Sequence, residues 1–147
     1  MNPQQPPSPG DDANLTVNLT VSLHNVWDEE CIIDLELTNT GRSDLELWTH
    51  WLPWRGWYSM VLVVTDTIPM GKPLPRPAMI DDPPPGSTTI KPGESLQGEI
   101  RLASRIPDIV RMLKHRDMIL FWAYQPTTVT LTYGKWLGGW LLLPKLP

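Results

Sequence analysis

The sequence has few of the residues on which most catalytic and metal sites depend. Its 147 residues include one cysteine and three histidines, and no His-x-x-His or Cys-x-x-Cys pair occurs. Zinc therefore has no local set of ligands. Gly-x-Ser-x-Gly, His-Glu-x-x-His and a phosphate-binding glycine loop are also missing. These absences favour a protein that is not an enzyme and that uses no cofactor or metal.

Charge is sparse and slightly negative. Charged residues make up 19% of the chain, and the net charge is −4. No stripe of lysine or arginine is present that could displace counterions from a phosphate backbone. We therefore expect no nucleic-acid partner.

Long apolar runs are missing too. None approaches the roughly 20 residues that a membrane-spanning helix needs, and the N-terminal residues lack the basic and apolar regions of a signal peptide. Residues 1–12 include Pro-Gln-Gln-Pro-Pro-Ser-Pro and contain little to bury, so we predict a disordered proline-rich arm there. Residues 13–147 are predicted to form one domain, located by default in the cytoplasm.

Strict alternation of apolar and polar residues is the strongest structural signal. It runs from Leu15 to Leu23 and predicts a β-strand with one wet face. Other β-prone segments lie at 31–38, 44–48, 58–66, 95–102, 117–124, 127–133 and 140–143. The second and third strands are predicted to form a hairpin around the Asn39-Thr40-Gly41 turn. The 58–66 strand is predicted to be buried on both faces.

One short helix is expected near residues 106–114. Ile106, Ile109, Val110 and Leu113 have helical spacing, with Pro107 near the start. Seven or eight short strands, one helix and no internal repeat predict an all-β fold, an antiparallel two-sheet sandwich.

Two turn motifs add a resemblance to known domains. Leu-Thr-Asn-Thr-Gly at 37–41 and Lys-Pro-Gly-Glu-Ser at 91–95 are similar to turns of bacterial immunoglobulin-like and fibronectin type III-like domains. The resemblance covers residues 14–143 as a pattern and implies an immunoglobulin-like sandwich. The paired cysteines of antibody domains are missing. Because such folds host many unrelated functions, the resemblance implies architecture alone.

Tryptophan is unusually abundant, with eight residues against one phenylalanine. Four of them lie three residues apart, and Pro53 and Gly56 disfavour a continuous α-helix there. In a polyproline II or 3₁₀ path, every third side chain shares one face. This spacing predicts a ridge formed by the indoles of Trp48, Trp51, Trp54 and Trp57, with His50 and Arg55 beside it, as the first candidate site. Trp136 and Trp140 form a second candidate site.

These indoles have two interpretations. They can cover the open end of the core, since a large aromatic side chain buries much apolar surface. Exposed indoles beside an arginine are instead typical of protein-binding hot spots, and flat indole faces also suit sugar rings. The proline-rich connection 67–91 is long enough to have a role of its own.

The preferred hypothesis is a non-catalytic protein-interaction module whose partner is another protein. A small inhibitor or immunity-type protein that blocks a basic partner is its narrower form. The alternatives are a carbohydrate-binding module that uses the same tryptophans, with a glycan as ligand, and a structural subunit of an assembly. Under the preferred hypothesis, Trp51→Ala and Trp54→Ala abolish partner binding and leave the fold intact.

Overall fold

A computed structural model describes residues 15–67, 72–80 and 85–147. The described residues form eight strands, one 3₁₀ turn at Thr49–Trp51 and two short helices. The strands are β1 Val17–Leu23, β2 Ile32–Asn39, β3 Leu45–Trp48, β4 Met60–Asp66, β5 Ser87–Ile90, β6 Ser95–Arg101, β7 Met118–Tyr124 and β8 Leu137–Leu143. The helices are α1 Leu102–Arg105 and α2 Ile109–Leu113. The arm predicted at 1–12 lies outside the described residues.

The strands form three antiparallel sheets, ordered β1-β2-β6, β3-β5 and β4-β7-β8. The predicted all-β antiparallel class is confirmed, whereas the two-sheet immunoglobulin-like arrangement stays a prediction. The short helix expected near 106–114 is found as α2, which begins at Ile109, whereas α1 was not expected; Ile106 is extended between the two helices. Ile106 precedes Pro107, and the proline ring disfavours the helical conformation in the residue before it.

The hairpin predicted between β2 and β3 is wrong. Strand β2 pairs with β1 and β6, and β3 pairs with β5, which lies inside the stretch expected to be a connection. The buried side chain of Asn39 donates hydrogen bonds of 2.8 Å to the carbonyls of Ser43 and Ile90. It also accepts one from the backbone N–H of Gly41. These bonds fix the chain as it passes from one sheet to the next.

Residues 127–133 were predicted to form a strand, and this prediction is wrong as well. They make two isolated bridges, Thr127 to Tyr133 and Leu47 to Thr128. The N–H of Leu131 donates to the carbonyl of Thr128 and closes a turn in the middle of the segment. Although residues 127–133 are rich in β-branched side chains, they form a bridged loop rather than a regular strand.

All three sheets contribute to one hydrophobic core. Alternation decides which side chains enter it, since successive residues of a strand point to opposite faces. Its fully buried members include Ile33, Leu37, Leu47, Ile90, Ile100, Leu120 and Tyr124. The turn between β1 and β2 is joined to the C-terminal end, because the Trp27 Nε1–H donates a 2.7 Å hydrogen bond to the carbonyl of Pro144.

Candidate functional site

The first predicted site begins with a small aromatic group at the end of β3. Trp48 is 37% exposed, and its ring stacks on His50 with centroids 6.2 Å apart. His50 in turn lies 5.6 Å from the Trp51 ring. The Trp51 carbonyl accepts a 2.9 Å hydrogen bond from the buried Tyr124 hydroxyl. This end of the segment is thus attached to the core by its backbone while its rings lie near the surface.

Trp54 points the other way and packs against the core. Its indole covers Gly98 of β6 so closely that a Cβ built on that glycine would lie 2.0 Å from Trp54 Cδ2. The buried guanidinium of Arg105 donates to the carbonyls of Trp54 and Gly56, at 3.2 Å and 3.4 Å. Trp54 therefore fills the space left by the missing side chain of Gly98 and supports the fold.

Trp57 is partly buried between two arginines. The guanidinium carbons of Arg76 and Arg105 lie 5.1 Å and 5.6 Å from its ring centroid, within the range of cation–π attraction. Arg76 also donates to the Trp57 carbonyl. The four indoles spaced by three therefore do not share one exposed ridge. Trp48 and Arg55 are exposed, and the other members of the predicted ridge are partly buried.

The second predicted site belongs to a larger apolar surface. Trp136 and Trp140 are both exposed, Trp140 at 67%. Trp140 lies directly opposite Phe121 in β7, and Phe121 lies opposite Val63 in β4. We call the outer surface of the β4-β7-β8 sheet the apolar face. Its three cross-strand rows are Thr65–Ile119–Leu142, Val63–Phe121–Trp140 and Val61–Ala123–Gly138.

The apolar face carries no charged side chain and a single hydroxyl, that of Thr65. Phe121 is 42% exposed, and Val61 and Leu142 are each 46% exposed. The outer face of the β1-β2-β6 sheet has the opposite character, with Asp34, Glu36 and Glu99 along it. The largest contiguous apolar patch on a soluble monomer is often functional, and patches larger than a few hundred Å² mark interaction sites.

Val61, Phe121 and Leu142 were missed as site residues at the sequence level. The prediction that the 58–66 strand is buried on both faces is wrong, because Met60 and Leu62 are buried while Val61 is exposed. Continuous apolar runs are typical of strands covered on both sides. Strands β4, β7 and β8 all have such runs, and this shared feature was the sequence signal that could have drawn attention to the outer face of their sheet.

Part of the proline-rich connection lies along the edge of β4. The Leu74 N–H donates a 2.8 Å hydrogen bond to the Val64 carbonyl, and Arg76 donates to the Met60 carbonyl at 3.4 Å. The Tyr58 hydroxyl bonds both the N–H and the carbonyl of Met79 at 3.0 Å. This segment therefore covers the edge strand β4. Because proline has no N–H, the segment itself offers few donors with which a further strand could pair.

One cluster of side chains has donor types that suit a divalent metal. Ligand atoms of His24, Asp34 and Glu99 lie within 4.8 Å of one another. His24 Nδ1 is 3.0 Å from both carboxylate oxygens of Asp34, and this hydrogen bond is the main cause that raises the pKa of His24. The histidine–carboxylate pair accounts for the geometry, and we assign it no ligand.

Cys31 has the environment of a small hydrophobic core residue. It is fully buried, its Sγ lies 3.5 Å from the carbonyl of Asp28, and burial raises the pKa of its thiol to about 11. At neutral pH the sulfur is therefore protonated, and only a thiolate is an effective nucleophile.

Comparisons with known proteins assign no family. Neither models of protein families nor the sequences of curated proteins match this chain. Among solved structures, a protein from Bordetella pertussis provisionally described as ApaA is similar at a TM-score of 0.45 and 11% identity, over 90% of this chain and 93% of that one. That similarity is too low to assign a fold family or a function. No helix among the described residues is long and apolar enough to cross a membrane.

Proposed function

We propose that this chain is a non-catalytic protein-interaction module that binds through the apolar face. The exposed cross-strand pair of Phe121 and Trp140, in a surface without charge, is the observation that carries this proposal. Aromatic side chains surrounded by apolar neighbours dominate the binding energy of protein interfaces. The proposed site thus includes Trp140 of the second predicted site and leaves out the Trp48–Trp57 segment.

The free energy expected from burying Trp140 supports this residue as the anchor of the interface. A tryptophan presents up to about 250 Å² of surface, so a partner that covered the exposed two-thirds of Trp140 would remove about 170 Å² from water. At about 25 cal/mol per Å², this burial contributes roughly 4 kcal/mol before the entropy lost on association. Leaving that area of β8, an edge strand of its sheet, in water forgoes this stabilisation, which a protein partner covering Trp140 would supply.

A protein fits this face better than a sugar. Small-ligand sites combine apolar walls with a few polar groups that fix the ligand's orientation. Apart from the indole N–H of Trp140 itself, the side chains of the three rows offer the hydroxyl of Thr65 alone. A sugar stacked on the indole would leave its own hydroxyls without protein partners. An uncharged apolar protein surface has no such requirement, and this difference favours the protein-binding proposal over the carbohydrate-binding alternative.

The test is a tagged pull-down from the native host with three forms of the chain, crosslinked before lysis so that a weakly bound partner is retained. Trp140→Lys removes the anchor. Val26→Lys is the matched control, because Val26 is 62% exposed in the turn between β1 and β2 and the substitution adds the same charge. Circular dichroism checks that all three forms are folded. We expect one stoichiometric partner with wild type and Val26→Lys, and its loss with Trp140→Lys.

Equal capture by Trp140→Lys, or no associated protein with any form, would contradict the proposal. The combined Trp51→Ala and Trp54→Ala test expected from the sequence is unsuitable here. Because Trp54 packs on Gly98 and the core, its removal would destabilise the domain. Lost binding could then not be separated from lost structure.

A further inference from the structure

We infer that the protein covering the apolar face is a second copy of this chain, docked sheet against sheet. The inference rests on the proposed function, since it uses the same face. A two-fold interface places one patch against itself, so the patch must be complementary to its own copy in charge and in shape. The three cross-strand rows of the apolar face are compatible with both conditions.

Charge permits self-association at this place. Each copy has a net charge of −4, and two copies brought together at random surfaces would repel. The apolar face has no charged side chain in any of its rows. The outer face of the β1-β2-β6 sheet, which presents Asp34, Glu36 and Glu99, would set carboxylates against carboxylates. Self-pairing is thus directed to the β4-β7-β8 side.

Shape is self-complementary as well. The middle row, with Phe121 and Trp140, is a ridge, and the adjacent row, with Ala123 and Gly138, is low. Consider a two-fold axis that runs across the strands between these two rows. It lays Trp140 of one copy over Gly138 of the other and Phe121 over Ala123. The sheets are then aligned, as in the usual packing of sheets about 10 Å apart.

The available area matches a weak but specific dimer. From their exposed fractions, Val61, Phe121, Trp140 and Leu142 offer most of about 500 Å² per copy, on the scale of about 150–250 Å² for a whole aromatic side chain. The remainder comes from Trp136, which precedes Gly138 by two residues and is expected on the same side of the strand. Pairing would bury about 1,000 Å² in total, which is the lower limit for a specific interface. We therefore expect a dimer that dissociates on dilution.

Sedimentation velocity over a range of concentrations tests the inference on the full chain. Wild type should shift from the 16.7 kDa monomer towards twice that mass as concentration rises. Trp140→Lys should raise the dimer dissociation constant at least about 100-fold, as expected when a buried aromatic anchor is replaced by a charge. Val26→Lys should leave the constant unchanged.

Ala123→Phe separates specific packing from general stickiness. This substitution adds apolar area to the face but fills the low row on which Phe121 of the other copy would lie. The inference predicts that it weakens the dimer by about tenfold or more, since overfilling a packed contact is unfavourable. Stronger association of Ala123→Phe would overturn the two-fold arrangement.

The outcomes distinguish the inference from the proposed function. A chain that stays monomeric at every concentration overturns the inference, while capture of a different protein that depends on Trp140 would still support the proposed function. A dimer that Trp140→Lys does not affect overturns the inference. If Trp140→Lys also leaves capture from the host unchanged, the proposed function fails too.

Discussion

Gly98→Ala is expected to destabilise the domain, although alanine is the better residue for a strand interior. Gly98 lies in β6, opposite Leu35 of β2. A Cβ on this glycine would lie 2.0 Å from Cδ2 and 2.4 Å from Cε2 of Trp54. Carbon atoms in favourable contact are about 3.5–4.0 Å apart. The Trp54 indole must therefore move by more than about 1 Å, or β6 and the segment that carries Trp54 must separate.

Two opposing effects set the magnitude. Removing glycine from a strand interior stabilises by about 0.5–1 kcal/mol, because glycine loses more backbone entropy on folding. Overpacking at a well-filled contact destabilises by about 1–3 kcal/mol. The clash wins, and we expect the free energy of unfolding to fall by about 1–2 kcal/mol. The sign of the change is thus the reverse of what strand propensity alone would give.

Urea unfolding of a double-mutant cycle measures this effect. With a slope of about 1–3 kcal/mol per M, the midpoint of Gly98→Ala should fall by roughly 0.5–1 M. In a Trp54→Ala background the clash is absent, so Gly98→Ala should be neutral or stabilising. The two sites should couple by about 2 kcal/mol. An increase in stability of the single variant, or the same effect in both backgrounds, would refute the packing of Trp54 on Gly98.

Three further predictions concern other parts of the domain. In an NMR titration, His24 should have a pKa above 6.5 that returns towards 6.5 in Asp34→Asn, since the hydrogen bond to Asp34 raises it. The pair's contribution to stability is full below pH 6.5 and is lost as pH rises through the folded pKa; an unchanged pKa in Asp34→Asn would exclude the pair. The Cys31 thiol, with its pKa raised to about 11 by burial, should react with iodoacetamide after unfolding and not before, and rapid labelling of the native protein would contradict its burial. Asn39→Ala removes two donated hydrogen bonds and one accepted one at a buried position, so it should lower the free energy of unfolding by about 2–3 kcal/mol, whereas a change below about 0.5 kcal/mol would show that Asn39 does not fix the crossing between sheets.

Local patterns were sufficient for the strands but not for their neighbours. The alternation around Leu19 predicted β1 with its buried and wet faces, and β7 lies where its apolar run placed it. Alternation fixes the face of each side chain and says nothing about which strand lies beside it. The pairing of β3 with β5 joins residues more than about 35 positions apart. It also depends on the buried Asn39, whose side chain donates to the Ile90 carbonyl of β5. A local turn signal at Gly41 therefore predicted a hairpin that does not form.

The candidate site shows a similar limit. The number and the three-residue spacing of the tryptophans singled out the 48–57 segment. The direction of each indole, however, depends on the residues against which it packs. Trp54 turns inward because Gly98, 44 positions later by sequence number, leaves room for it. Trp140 stays exposed because β8 has apolar residues on both faces and the core covers one of them. Neither fact is local in sequence.

Site-specific photo-crosslinking in the native host tests the central claim most directly. A photoreactive phenylalanine analogue replaces Trp140 in one form of the chain and Val26 in the matched control. The apolar face as a protein-binding surface predicts a discrete covalent adduct from position 140 and none from position 26, and an adduct of twice 16.7 kDa would identify the second copy. No adduct at position 140, or the same adducts at both positions, would contradict the claim that this face binds protein.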